Sequence, residues 1–122
     1  MTEARQLFGK GGEDLACREL ERRGYAILER RYRSRLGEID IVARHGEVTV
    51  FVEVKARGGN DFGGGAAAVT PAKQRTITRV ALDYIARRRL FDRPCRFDVV
   101  VIDLSSGAPA IEIIPGAFDS YV

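Results

Sequence analysis

Glu53 and Lys55 stand two residues apart in VTVFVEVKAR, Val48 to Arg57, among Val50, Phe51, Val52 and Val54. Successive side chains of a strand point to opposite faces, so this carboxylate and this ammonium share one. A lone pair of that kind is also how a structural ion pair near a strand end reads, and such pairs contribute little at a surface. Asp40 adds a third charge: it lies in GEIDIVA, and the intervening RHGE reads as the turn of a β-hairpin. A two-residue loop at Gly46 and Glu47 sets Asp40 directly opposite Glu53; one at His45 and Gly46 sets it a diagonal step away. In both registers parity keeps Asp40, Glu53 and Lys55 on one face. Like charges gathered on a sheet are costly to desolvate without a cation. Magnesium prefers octahedral oxygen coordination, often with only one or two carboxylates, which leaves places for water and for phosphate oxygens. Such an ion polarises a phosphodiester and helps generate hydroxide from water, and Lys55 would orient the attacking water.

Two helices must position the remaining candidates. Periodicity predicts one from about Gln6 to Arg23, closed by Gly24 as a left-handed cap. Gly9, Ala16, Cys17 and Leu20 fall at helical spacing on the side of Glu13, so this acid shares a small and apolar face. An acid in the first half of a helix is also favoured by the dipole alone. The second helix opens at TPAKQ, with Thr70 as N-cap and Pro71 at its first position, and runs to about Leu90. Its apolar stripe is Ile77, Val80, Ala81, Tyr84 and Ile85, and extending the stripe backwards lands on Lys73 and Gln74. Tyr25 to Arg33 reads as the first strand, RFDVVVIDL as a buried strand and PAIEIIPGAF as a short last one. The order is α-β-β-β-α-β-β, an α/β fold. Glu38 has the parity of Asp40 and is a candidate to support the ligands from behind, though it reads more simply as an exposed strand glutamate; His45, at the turn, reads as solvated and takes no catalytic role.

The chain has 122 residues, 45% hydrophobic and 30% charged, the size of one globular domain spanning residues 1–122. No apolar run reaches the length of a membrane span and the N-terminus has no secretory apolar centre, so the expected address is the cytoplasm, away from membranes. Cys17 and Cys95 have neither zinc-site nor disulfide-framework spacing and read as free thiols. GKGG at Gly9 to Gly12 and the glycine-rich loop at Gly58 to Ala68 both lack the phosphate-loop signature. A net charge of +3 permits nucleic-acid binding without requiring it. Lysine occurs only at Lys10, Lys55 and Lys73 against seventeen arginines, so a lysine inside a hydrophobic strand is not filler. The arginines of RRYRSR, namely Arg31, Arg33 and Arg35, together with Arg57 and Lys73, are the candidate phosphate contacts. The RRR run at Arg87 to Arg89 reads at least equally well as solvated charge at a helix C-terminus.

GEID at Gly37 to Asp40 followed by FVEVKAR at Phe51 to Arg57 resembles the D-x(n)-E-x-K core of the PD-(D/E)XK nuclease superfamily. With GKGGEDLA at Gly9 to Ala16, AVTPAKQRTI at the second helix and RFDVV, nearly the whole chain resembles the YraN-like family of small bacterial proteins, itself similar to archaeal Holliday-junction resolvases. The resemblance implies a restriction-endonuclease-like α-β-β-β-α-β core, a mixed central sheet flanked by helices. It implies Glu13 as the helix-one acid, Asp40 and Glu53 as metal ligands with Glu13, Lys55 as the catalytic lysine and Gln74 as the helix-two polar residue. The implied cofactor is Mg2+ or Mn2+. Ile39-Asp40 stands where the superfamily has Pro-Asp, with the acid retained.

The resulting expectation is a metal-dependent endonuclease hydrolysing phosphodiester bonds of DNA, branched DNA included, for which a symmetric homodimer would suit paired cuts across a junction. The alternative is a non-catalytic nucleic-acid-binding or repair-associated module on the same fold, since fold does not fix function. A third reading takes the apolar tail from Ile113 onward as a protein-interaction patch.

Overall fold

The computed structural model describes residues 11–57, 69–105 and 107–119. Two helices, α1 (Gly12–Arg22) and α2 (Pro71–Arg88), and five strands, β1 (Ala26–Ser34), β2 (Gly37–His45), β3 (Val48–Arg57), β4 (Cys95–Asp103) and β5 (Ala110–Phe118), follow in the order α-β-β-β-α-β-β. Residues 6–10 of the expected first helix and the glycine-rich loop at 58–68 lie outside the described residues.

The strands form one sheet in the order β1-β2-β3-β4-β5. All neighbouring pairs are antiparallel except β3 and β4, which are parallel and joined through α2, so the sheet is mixed. The two central strands are buried on both faces, which is why VTVFVEV and FDVVVI are nearly continuous apolar runs. Alternation divides the core. Val50, Val52, Val100 and Ile102 pack with Ala16, Cys17 and Leu20 of α1, whereas Phe51, Val99 and Val101 pack with Ile77, Val80, Ala81 and Tyr84 of α2. The helices therefore cover opposite faces. Thr70 caps α2, its hydroxyl accepting from the Lys73 N–H at 3.1 Å. Gly24, at φ 92°, closes α1 with bonds from Gly24 N–H to Glu21 O and from Tyr25 N–H to Leu20 O, both 3.0 Å.

The β2–β3 turn is the two-residue loop Gly46–Glu47, with His45 paired to Val48. The β1–β2 ribbon holds the main irregularity. Arg30 pairs with Ile41 and Tyr32 with Ile39, which sets Arg31 opposite Asp40. Ile41 faces α1, as does Arg30 through its bonds to Glu13 and Asp14, yet Ile39 and Tyr32 both face α2. Strict alternation would keep residues two apart on one face. Both strands therefore roll over together at Arg31 and Asp40, and Arg31 takes φ 53°, left-handed for a non-glycine residue.

Candidate active site

Beyond the Ile41–Val52 pair the regular β2–β3 ladder ends. Asp40 fills the gap with its side chain: Oδ2 accepts the Val54 N–H at 2.8 Å. Its carboxyl lies close enough to that of Glu53 to raise the Glu53 pKa. Glu53 follows Phe51 on the α2 face of β3 and is 7% exposed. Burial first, then the hydrogen bond and charge of Asp40, push the Glu53 carboxyl up to about 8, against the weaker downward pull of Lys73 and Lys55. Lys73, in the first turn of α2, places Nζ 3.8 Å from Glu53 Oε2. Lys55 lies half-buried two residues along β3 from Glu53, on the same face by alternation. The structure thus brings Asp40, Glu53, Lys55 and Lys73 together.

Other candidates are held elsewhere. Glu13 is buried, but its carboxylate receives Arg31 Nε at 2.8 Å and Arg30 Nε at 3.3 Å. Among the described residues no three His, Cys, Asp or Glu side chains gather where they could hold one metal ion. Gln74 turns back to its own helix entrance and donates from Nε2 to Val69 O at 2.8 Å. Arg33 is paired with Glu38 at 2.8 Å and stays largely exposed, Arg35 is exposed in the β1–β2 turn, and Arg57 is paired with Asp103 at 3.1 Å.

A second polar cluster was not read from the sequence. Asp98, fully buried in β4, accepts from Tyr25 OH at 2.8 Å, from Arg96 at 2.8 and 3.0 Å and from the Gly116 N–H at 3.0 Å. His45, expected in solvent, is half-buried at the end of β2 and stacks on Tyr25 with 4.2 Å between ring centroids. Burial and the bond to Asp98 push the Tyr25 hydroxyl up to about 12. Every carboxylate lone pair here is directed at a protein donor, and the cluster ties the start of β1 to the β4–β5 bulge. Its signal in the sequence was an aspartate inside FDVVVI.

The donor set at Asp40 and Glu53 fits a hard divalent cation. Two carboxylates supply oxygen ligands, and water and phosphate commonly complete the shell of magnesium. Asp40 raises the Glu53 carboxyl, a repulsion that a bound cation would relieve.

The sequence pattern described as "Uncharacterised protein family UPF0102" matches residues 12–102. A UPF0102 protein of Geobacter metallireducens is 51% identical over 112 residues, 92% of this chain and 92% of its own length. One of Geobacter sulfurreducens is 49% identical over 115 residues, 93% of this chain and 90% of its own. One of Syntrophotalea carbinolica is 46% identical over 119 residues, 98% of this chain and 97% of its own.

Proposed function

The chain belongs to the uncharacterised family UPF0102, the YraN family, and because the matched stretch contains the whole Asp40–Glu53–Lys55–Lys73 cluster, we propose that it is a magnesium- or manganese-dependent endonuclease hydrolysing phosphodiester bonds of DNA. One observation carries this reading. The buried Glu53 carboxyl and the partly buried Asp40 carboxyl are set beside each other at the end of the β2–β3 ladder, and burial together with Asp40 pushes Glu53 up to about 8 against the opposing pull of Lys73 and Lys55. A structural ion pair needs one carboxylate; a second one beside it adds a repulsion that a bound cation relieves.

Asp40 and Glu53 would hold the ion, Asp40 with one oxygen fixed by the Val54 N–H. When bound, the ion supplies Lewis-acid stabilisation of the charge developing on the phosphoryl group and lowers the pKa of attacking water. Lys55, on the same face, orients that water and favours its deprotonation. Lys73, whose side chain is 43% exposed, exchanges Glu53 for a phosphate oxygen when substrate arrives. Arg33 and Arg35, near the tip of the β1–β2 hairpin, add backbone contacts, so affinity falls steeply with salt.

The test is cleavage of labelled linear, single-stranded and four-way-junction DNA in magnesium, manganese or EDTA, beside Glu53→Ala and Lys55→Ala proteins. Metal-dependent cutting lost in both variants is the expected result. Equal cutting by the variants refutes it. Salt-sensitive binding without metal-dependent cutting assigns the fold to a binding module instead.

A further inference from the structure

We propose that Glu13 is a positioning residue: its ion pair with Arg31 holds the rolled β1–β2 ribbon in the conformation that sets the Asp40 carboxylate beside Glu53. The inference rests on reading Asp40 and Glu53 as the metal site, and it assigns the helix-one acid a task other than ligation.

The geometry starts from Arg31. Its φ of 53° is one that side chains bearing a Cβ rarely adopt, and such a conformation persists only where its surroundings over-determine it. The determining contact is Arg31 Nε to Glu13 Oε2 at 2.8 Å, with the Glu13 side chain only 8% exposed. Arg30 takes the other oxygen at 3.3 Å and reaches Asp14 at 2.7 Å. In a regular strand two consecutive side chains point to opposite faces, so both arginines can reach one carboxylate on α1 only because φ at Arg31 is inverted. The inverted φ lets both arginines reach Glu13, and the ion pair offsets the cost of that φ at a residue bearing a Cβ.

The consequence appears on the neighbouring strand. Arg31 lies opposite Asp40 in the β1–β2 ladder, and at this pair both strands exchange faces. Where β2 rolls, its ladder with β3 stops at Ile41, and the Asp40 side chain takes the Val54 N–H. Flattening the roll would restore ordinary alternation and move that carboxylate off Val54. Glu13 is thus coupled to the metal site through the backbone, with both of its oxygens already engaged by guanidinium groups.

The experiment compares wild type, Glu13→Gln, Arg31→Val, Arg31→Gly and the double variant Glu13→Gln/Arg31→Gly. Amide exchange at Val54 in EDTA reads the position of Asp40, and calorimetric titration with Mn2+ reads the site. Losing the ion pair in Glu13→Gln, or a tolerable side chain in Arg31→Val, lowers Val54 protection and Mn2+ affinity by about tenfold or more. Arg31→Gly retains both, because glycine adopts positive φ without an ion pair. The double variant recovers to within about threefold of wild type. A double variant that binds Mn2+ as weakly as Glu13→Gln identifies Glu13 as a ligand and overturns the proposal, as does unchanged Val54 protection in Glu13→Gln. If wild type binds no Mn2+, the metal-site reading fails, while the Val54 exchange still decides whether Glu13 positions Asp40.

Discussion

Replacing Glu53 by glutamine should flatten the pH dependence of stability of the metal-free protein. The folded carboxyl holds its proton up to about 8 against an ordinary 4.5, so between those values the native state binds more protons than the unfolded chain. Stability then falls as pH rises. The contribution is fully present below 4.5 and lost as pH passes through 8, at a slope approaching about 1.4 kcal/mol per pH unit. Across the window this amounts to roughly 3 to 5 kcal/mol, a large share of the stability of a domain this size. Glutamine keeps the shape and can donate to Asp40 without ionising. Urea unfolding in EDTA from pH 5 to 9 provides the assay, and the wild-type curve minus the Glu53→Gln curve removes the other titrating groups. The difference should grow steadily in favour of the variant as pH rises. Parallel curves for the two proteins would show that Glu53 titrates normally, and the argument from two crowded carboxyls would fail.

Asp98→Ala strands the Arg96 guanidinium, the Tyr25 hydroxyl and the Gly116 N–H, and should cost about 3–5 kcal/mol in urea unfolding without changing Mn2+ affinity. Arg89 occupies the left-handed position after α2 at φ 57°, so Arg89→Gly should stabilise by about 0.5–1 kcal/mol and raise the melting temperature by a few degrees. At Gly37, φ 152°, an added Cβ would lie 2.7 Å from Thr76 Cγ2; Gly37→Ala should cost about 1–3 kcal/mol, with partial recovery in Gly37→Ala/Thr76→Ser. A full loss that the serine does not relieve would place the whole cost in the backbone.

The element order and the partners of Asp40 were legible because they depend on local signals. Gly46–Glu47 closes a two-residue hairpin, and counting back from it through the Ile41–Val52 pair brings Asp40 next to Glu53 in sequence register, although the bond of its side chain to Val54 N–H could not be counted. The N-cap and proline fixed the start of α2 in the same way. Less legible was what depends on how elements dock. Lys73 and Gln74 are adjacent at the helix mouth, and only the rotation of α2 on the sheet decides that Lys73 meets Glu53 while Gln74 bonds to Val69. The roll at Arg31 has no sequence signal, since positive φ is ordinarily announced by glycine or asparagine. With it went the pairing of Glu13, which helical spacing could place on an inward face but could not assign to a partner. Asp98 was visible inside an apolar strand, yet its partners come from β1 and β5, far apart in sequence.

The most direct test of the central claim is the number of protons displaced when Mn2+ binds, measured by calorimetry in buffers of different ionisation enthalpy. If the ion replaces the proton held at Glu53, the wild-type protein should release close to one proton per ion near pH 6.5 and progressively fewer above pH 8. Asp40→Asn and Glu53→Gln should abolish the binding. Absence of Mn2+ binding, or binding that releases no proton and survives both substitutions, would show that the paired carboxyls are not a metal site.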